Sequence, residues 1–142
     1  FLHTPLDPSK REIRLLVMRS PHGWRRYLSE HIHCTLSVHS LGSAPSYTAL
    51  SYVWGNPKKR KRIYVNGRRA YITQNLFEAL EQLYDLEYRD QVFLVNALCI
   101  NQDDLEERKN QVKFMADIYR RATLGWTLVP GMWWRCKTCL TR

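Results

Sequence analysis

QVFLVNALCINQDD, residues 91–104, is the stretch whose reading decides the fold. It opens with a strand-like apolar run, passes through Asn96 and Ala97, and closes on Asn101, Gln102, Asp103 and Asp104. A strongly patterned helix follows at once. A buried strand that ends in small polar and acidic groups and then turns into a helix is how α/β proteins commonly build sites. The run therefore predicts an α/β domain with a candidate site just after this strand.

Working outward, the downstream helix is expected over about residues 103–121. Asp103 or Asp104 can cap it, and Glu106 and Glu107 in the first turn suit the helix dipole. Leu105, Val112, Met115, Tyr119 and Ala122 recur at helical spacing and read as its apolar stripe. An earlier helix is expected from Asn75, where Asn75 and Glu78 have the spacing of a capping box and Leu76, Phe77, Leu80, Leu83 and Tyr84 repeat.

Further upstream, residues 12–18 (EIRLLVM) read as a strand. Residues 31–38 alternate Ile32, Cys34, Leu36 and Val38 with His31, His33, Thr35 and Ser37, the pattern of a half-buried strand. Residues 47–54 (YTALSYVW) are denser in apolar groups, as in a more buried strand, and stop at Gly55, Asn56 and Pro57. Asn66-Gly67 supplies the positive φ angles of a type I′ turn, so residues 63–72 form a hairpin.

The expected architecture is a single α/β domain, a mostly parallel sheet with flanking helices and a β-hairpin at its periphery. Residues 1–11 are a lead-in segment, residues 12–124 the domain, and residues 125–142 a divergent tail in which periodicity is lost.

Composition agrees with one domain. A chain of 142 residues buries about 68–70% of its unfolded surface, enough to fold without metal or disulfide. The net charge is +9, and Lys58, Lys59, Arg60, Lys61, Arg62, Arg68 and Arg69 account for seven of it; without them it falls to +2. No apolar run approaches the ~18 residues of a membrane helix. The four cysteines are expected to be reduced thiols of an intracellular protein.

Several motifs carry chemistry in principle. Residues 58–62 are five consecutive basic groups, readable as a nuclear-import signal, a phosphate stripe, or a solvated hairpin arm that blunts an edge strand. The solvated arm is preferred, because no aromatic stacking platform is evident beside the charges. Cys136 and Cys139 have half the spacing of a zinc site, without the second pair that would complete it, so no metal site is expected. His31 and His33 read as the polar face of a strand. Trp54, Gly55 and Asn56 lie where one strand ends, and Asn96, Asn101 and Gln102 where another ends; parallel neighbours would open both loops at the same carboxyl edge. Glu107 is a carboxylate able to act as an acid/base or to bind a ribose hydroxyl, or simply to complement the helix dipole.

These residues also carry a family pattern. Residues 47–55 (YTALSYVWG), residues 73–76 (TQNL) with Ala79 and Leu80, and residues 98–104 (LCINQDD) with Glu107, Arg108, Gln111, Val112, Met115, Ile118, Tyr119 and Ala122 resemble three ordered blocks of the fungal heterokaryon incompatibility (HET) domain. The resemblance covers about residues 12–124. It implies a cytoplasmic effector of programmed cell death in self/non-self recognition, with nuclear entry through residues 58–62 as a variant. The implied partners are an incompatibility protein or sensing domain, with homo-oligomers; membranes are not expected and nucleic acid is the least favoured.

The family's distant relation to TIR domains implies a TIR/flavodoxin-like core. Some TIR domains cleave NAD through a glutamate. By that resemblance Trp54, Gly55, Asn96, Asn101 and Gln102 line a nucleotide or NAD pocket, with Glu107 as its catalytic carboxylate, NAD entering as substrate and no resident cofactor. A non-catalytic, self-associating module is the alternative. Two departures stand out. The family usually has an Asp where this chain has Asn96, and an amide cannot act as a general base. After Ala122 the family pattern fades, which predicts a C-terminally incomplete copy.

Overall fold

The computed structural model describes residues 3–19, 32–52, 54–85, 91–129 and 132–136. The expected break at 21–23, His31 and Cys139 lie outside them. In chain order the elements are β1 (Glu12–Arg19), β2 (His33–Ser40), β3 (Thr48–Tyr52), β4 (Arg60–Val65), β5 (Arg68–Thr73), α1 (Gln74–Asp85), β6 (Val92–Leu94), α2 (Asn96–Cys99), α3 (Leu105–Arg121), β7 (Leu124–Val129) and β8 (Met132–Cys136).

The strands form one sheet in the order β5-β4-β2-β1-β6-β3-β7-β8. Among the described residues, β1/β2, β1/β6, β4/β5 and β7/β8 are antiparallel, whereas β2/β4, β3/β6 and β3/β7 are parallel. The sheet is therefore mixed and mostly antiparallel. This corrects the expected mostly parallel, TIR/flavodoxin-like sheet. The reason lies in the connections: parallel neighbours need a long crossover, usually a helix, whereas antiparallel neighbours need only a reversal. The long helices α1 and α3 serve only the β6-β3-β7 half. In the other half β1 and β2 pair antiparallel over eight residues, from Glu12↔Ser40 to Arg19↔His33.

β1 lies in the middle of the sheet and is covered on both faces. Ile13, Leu15, Leu16 and Met18 are all fully buried, so simple alternation does not describe it. They pack in one core with Ile63 and Val65 of β4, Leu76, Leu80 and Leu83 of α1, Phe93 of β6 and Ile118 of α3. Each such side chain contributes roughly 1.5–3 kcal/mol through burial. The short β6, with Phe93, Leu94 and then Val95 all buried, shows why residues 91–95 read as a continuous apolar run.

The β4–β5 hairpin stands at the sheet edge and is longer than the 63–72 read from sequence, pairing from Arg60↔Thr73 to Val65↔Arg68. Asn66 (φ 50) and Gly67 (φ 78) make the expected turn. The Asn66 side chain also accepts from the Leu36 amide at 3.0 Å, tying the turn to β2.

Two helix details differ from the sequence reading. At α1 the hydroxyl of Thr73, not Asn75, accepts from the third amide on, that of Leu76 at 3.4 Å. At α3 the Asp104 carboxylate caps the helix, accepting from the Glu107 amide at 3.0 Å. Its apolar stripe, however, is not its buried face: Leu105 and Val112 are 65% and 68% exposed. The helix docks largely through polar groups. Gln111 donates to the Glu12 carbonyl at 2.9 Å, and Arg11 pairs with Asp117 at 2.5 Å while covering the Phe114 ring.

The sheet continues past residue 124. β7 pairs with β3 from Thr48↔Leu124 to Tyr52↔Leu128, and β8 pairs with β7. Part of the stretch assigned to the divergent tail is thus strand.

Candidate functional site

β3 and β6 are parallel neighbours, with Thr48 opposite Phe93 and Ala49 opposite Leu94. The loops that follow them, bearing Trp54 and Asn101, therefore open at the same edge of the sheet, the edge where α/β sheets bind ligands. A cleft of about 420 Å³ lies there. Tyr52 and Trp54 line one side, Ala97, Leu98, Asn101, Gln102 and Asp103 another, and Arg60, Arg69, Tyr71 and Thr73 of the β4–β5 hairpin a third. His3 of the lead-in completes the lining. Trp54 is 54% exposed and stacks on Tyr52, with centroids 6.0 Å apart and an interplanar angle of 21°.

Of the residues expected at the site, Trp54, Asn101 and Gln102 line this cleft. Gly55 does not line it but sets the path of the chain beyond Trp54. Its φ is +72°, and a Cβ there would stand 2.4 Å from Nδ2 of Asn75. Only glycine fits both conditions.

Asn96 lies beneath the loop. Its amide nitrogen donates to the Tyr119 hydroxyl at 3.2 Å, and its carbonyl accepts from Gln102 at 3.0 Å. Among the described residues its Oδ1 and the Tyr52 hydroxyl are buried without a partner. Burial pushes the Tyr52 hydroxyl up to about 12. Burial also holds the His3 imidazole below its usual range, while its contact with the Leu98 carbonyl at 2.8 Å acts the other way.

Glu107 does not line the cleft. It borders a separate hollow of about 210 Å³ beside Asp104 and Gln111. Its side chain is 8% exposed and pairs with Arg14, which is 2% exposed. The two guanidinium nitrogens donate to the two carboxylate oxygens at 2.5 and 3.0 Å, a bidentate geometry. The same carboxylate accepts from the Asn101 amide at 2.7 Å, and Arg14 also donates to the carbonyls of Cys99 and Thr4. The pair thus joins the centre of β1, the lead-in and the loop that carries Asn101 and Gln102.

The thiols are inert by environment. Burial pushes Cys99 and Cys34 each up to about 12, so neither is poised as a thiolate nucleophile. Among the described residues no group of His, Cys, Asp and Glu could hold a metal ion.

Sequence reasoning missed Arg14, Tyr52 and the hairpin wall of Arg60, Arg69 and Tyr71. Arg14 did leave a signal, as a lone cation inside the apolar run EIRLLVM. A charge there must be paired when the strand is central. The hairpin wall left none, because it comes from contacts far apart in sequence. Together the cleft presents guanidinium groups, aromatic rings and side-chain amides. That donor set fits an anionic ligand carrying a flat ring system.

The comparisons with known proteins agree with the placement of the two loops. The family described as "Heterokaryon incompatibility protein (HET)" matches residues 47–131, a span that includes Trp54, Asn96 and Glu107. The chain is also similar to "Heterokaryon incompatibility protein 6, OR allele" of Neurospora crassa, at 37% identity over 128 residues, covering 82% of this chain and 18% of that protein. It therefore spans under a fifth of that relative's length. No solved structure matches it. From the family match and this similarity, the chain belongs to the heterokaryon incompatibility (HET) domain family.

Proposed function

We propose that this domain is the effector part of a fungal incompatibility protein, and that its cleft takes a nucleotide-class ligand such as NAD or ADP-ribose. The observation that carries this reading is the set of Arg60 and Arg69 with Trp54 and Tyr71 around one cleft. Guanidinium groups recognise phosphate through a fixed fork of donors, and an exposed indole offers a stacking face to a base. A polar ligand atom reaching Tyr52 would also satisfy its hydroxyl.

Glu107 enters this reading as a positioning residue. Its carboxylate, engaged by Arg14 and the Asn101 amide, holds the loop that brings Asn101 and Gln102 to the cleft. A glycosidic cleavage in the cleft would instead draw on Asp103, the carboxylate among its lining residues. We place the action in the cytoplasm, triggered by a partner protein or sensing domain, with death of the mixed cell as its outcome.

Inducible expression in a fungal cell tests the proposal. Wild type is expected to kill, and Trp54→Ala to lose killing while still folding, because the indole is largely exposed. Killing by a folded Trp54→Ala variant at the wild-type level would contradict a role for the cleft. That result would favour the self-associating module, to which the exposed Leu105 and Val112 on α3 lend some support.

A further inference from the structure

The basic hairpin does more than blunt an edge. Strand register sets Arg19 opposite His33, His33 beside Tyr64, and Tyr64 opposite Arg69, so these four residues form one row across β1, β2, β4 and β5. Arg62 and Tyr71 form the next pair on the same face. Residues directly paired across strands share a face, and residues two apart along a strand share it too. Buried Ile63, Val65, Ala70 and Ile72 occupy the opposite face of the hairpin.

The side chains on this row are already arranged as a stack. The His33 and Tyr64 rings are parallel, 4.9 Å apart with an interplanar angle of 9°, and Arg62 lies 5.9 Å over the Tyr64 ring. Arg19 is oriented by a 3.0 Å bond from its Nε to the Thr35 hydroxyl. His33 and Arg19 are exposed, and Tyr71 is 59% exposed. Residues 58–69 contain no acid to offset the charge.

We infer that this face binds single-stranded nucleic acid, with bases stacked on His33, Tyr64 and Tyr71 and the backbone phosphates held by Arg19, Arg62 and Arg69. Single-strand binders combine these two features, a cationic track for the backbone and aromatic faces that accept any base. The aromatic groups decide the class of partner. A membrane surface or a simple polyanion would be served by the charges alone. The inference stands apart from the nucleotide reading of the cleft, and Trp54→Ala separates the two because Trp54 is not on this row.

The test is fluorescence anisotropy with labelled oligothymidylate and oligouridylate of about 12 nucleotides, within the usual site size. Binding to at least one of them is expected, with log K falling against log salt at a slope of about −2 for three phosphate contacts. The double variant Tyr64→Ala/Tyr71→Ala is expected to bind at least about tenfold more weakly at unchanged slope. Tyr64→Phe/Tyr71→Phe is expected to keep wild-type affinity, which controls for folding. Arg62→Ala/Arg69→Ala is expected to lower the slope to about −0.7, and Trp54→Ala to bind as wild type.

The inference is overturned by absence of binding to both oligonucleotides, or by affinity that survives removal of both tyrosines in a folded variant. It is equally overturned if inorganic polyphosphate or anionic phosphatidylserine vesicles displace the oligonucleotide as well as unlabelled oligothymidylate does.

Discussion

Glu107→Ala is expected to destabilise the domain by about 3–5 kcal/mol, the range for removing one partner of a buried ion pair. Arg14 and Glu107 are 2% and 8% exposed, and the truncation leaves a guanidinium in the middle of the sheet with only the Cys99 and Thr4 carbonyls to accept from it. The Asn101 amide loses its acceptor at the same time. Against a typical domain stability of about 5–15 kcal/mol, such a loss is a large share of the whole. Urea unfolding followed by circular dichroism measures it directly.

The same physics predicts the outcome of removing both charges. Arg14→Met/Glu107→Leu is expected to recover much of the loss, because an apolar pair of similar size carries no uncompensated charge. A Glu107→Ala midpoint close to wild type would mean that the pair is not buried as described. One consequence bears on function. Loss of killing in Glu107→Ala is expected from instability alone, so that variant does not by itself identify a catalytic carboxylate. The apolar double variant does discriminate: folded and able to kill, it would leave Glu107 a positioning role only.

Gly55→Ala is the second large effect, expected at about 2 kcal/mol or more. An L-residue in the left-handed region costs about 1–2 kcal/mol, and here the new methyl also meets the Asn75 side chain, with Nδ2 at 2.4 Å and Cγ at 2.7 Å. Two other glycines separate these contributions. Gly67 has φ +78° but nothing within 4 Å of its would-be Cβ, so Gly67→Ala bears the conformational cost alone. Gly42 has neither the positive φ nor a neighbour, so Gly42→Ala is expected to be close to neutral or mildly stabilising. The expected order of unfolding midpoints is Gly42→Ala highest, then Gly67→Ala, then Gly55→Ala. Equal midpoints for the last two would remove the contact with Asn75 from the account. Because Gly55 adjoins Trp54, this variant is also expected to weaken ligand binding in the cleft.

What was legible in the sequence was mostly local. Asn66-Gly67 specifies its turn through backbone φ angles that few other pairs adopt, and the structure shows both. The Asp104 cap and the two loops after β3 and β6 were legible for a similar reason, since apolar strands ended there in breakers and polar groups. Strand direction was not. Alternation along residues 31–38 reports which side chains share a face, and it is the same whichever way the neighbour runs. The antiparallel pairing of β1 with β2 and β6 is settled by contacts distant in sequence.

The site divided in the same way. Trp54, Asn101 and Gln102 were found because they sit at strand ends. Glu107 was read as a free carboxylate because its partner, Arg14, lies 93 residues away. The capping role of Thr73 was hidden by Asn75 two residues on, which has better capping chemistry in isolation but stands against Gly55. Leu105 and Val112 kept helical spacing without being buried, because polar anchors at Glu107, Gln111 and Asp117 set the rotation of α3.

The central claim is that the cleft between the two loops and the hairpin is the working site. Isothermal titration of the domain with ADP-ribose tests it most directly. Saturable binding at one site per chain is predicted, weakened about tenfold or more by Trp54→Ala through loss of one stacking face, and weakened again by Arg69→Ala. No heat of binding to a folded domain, or binding that both variants leave unchanged, would contradict it.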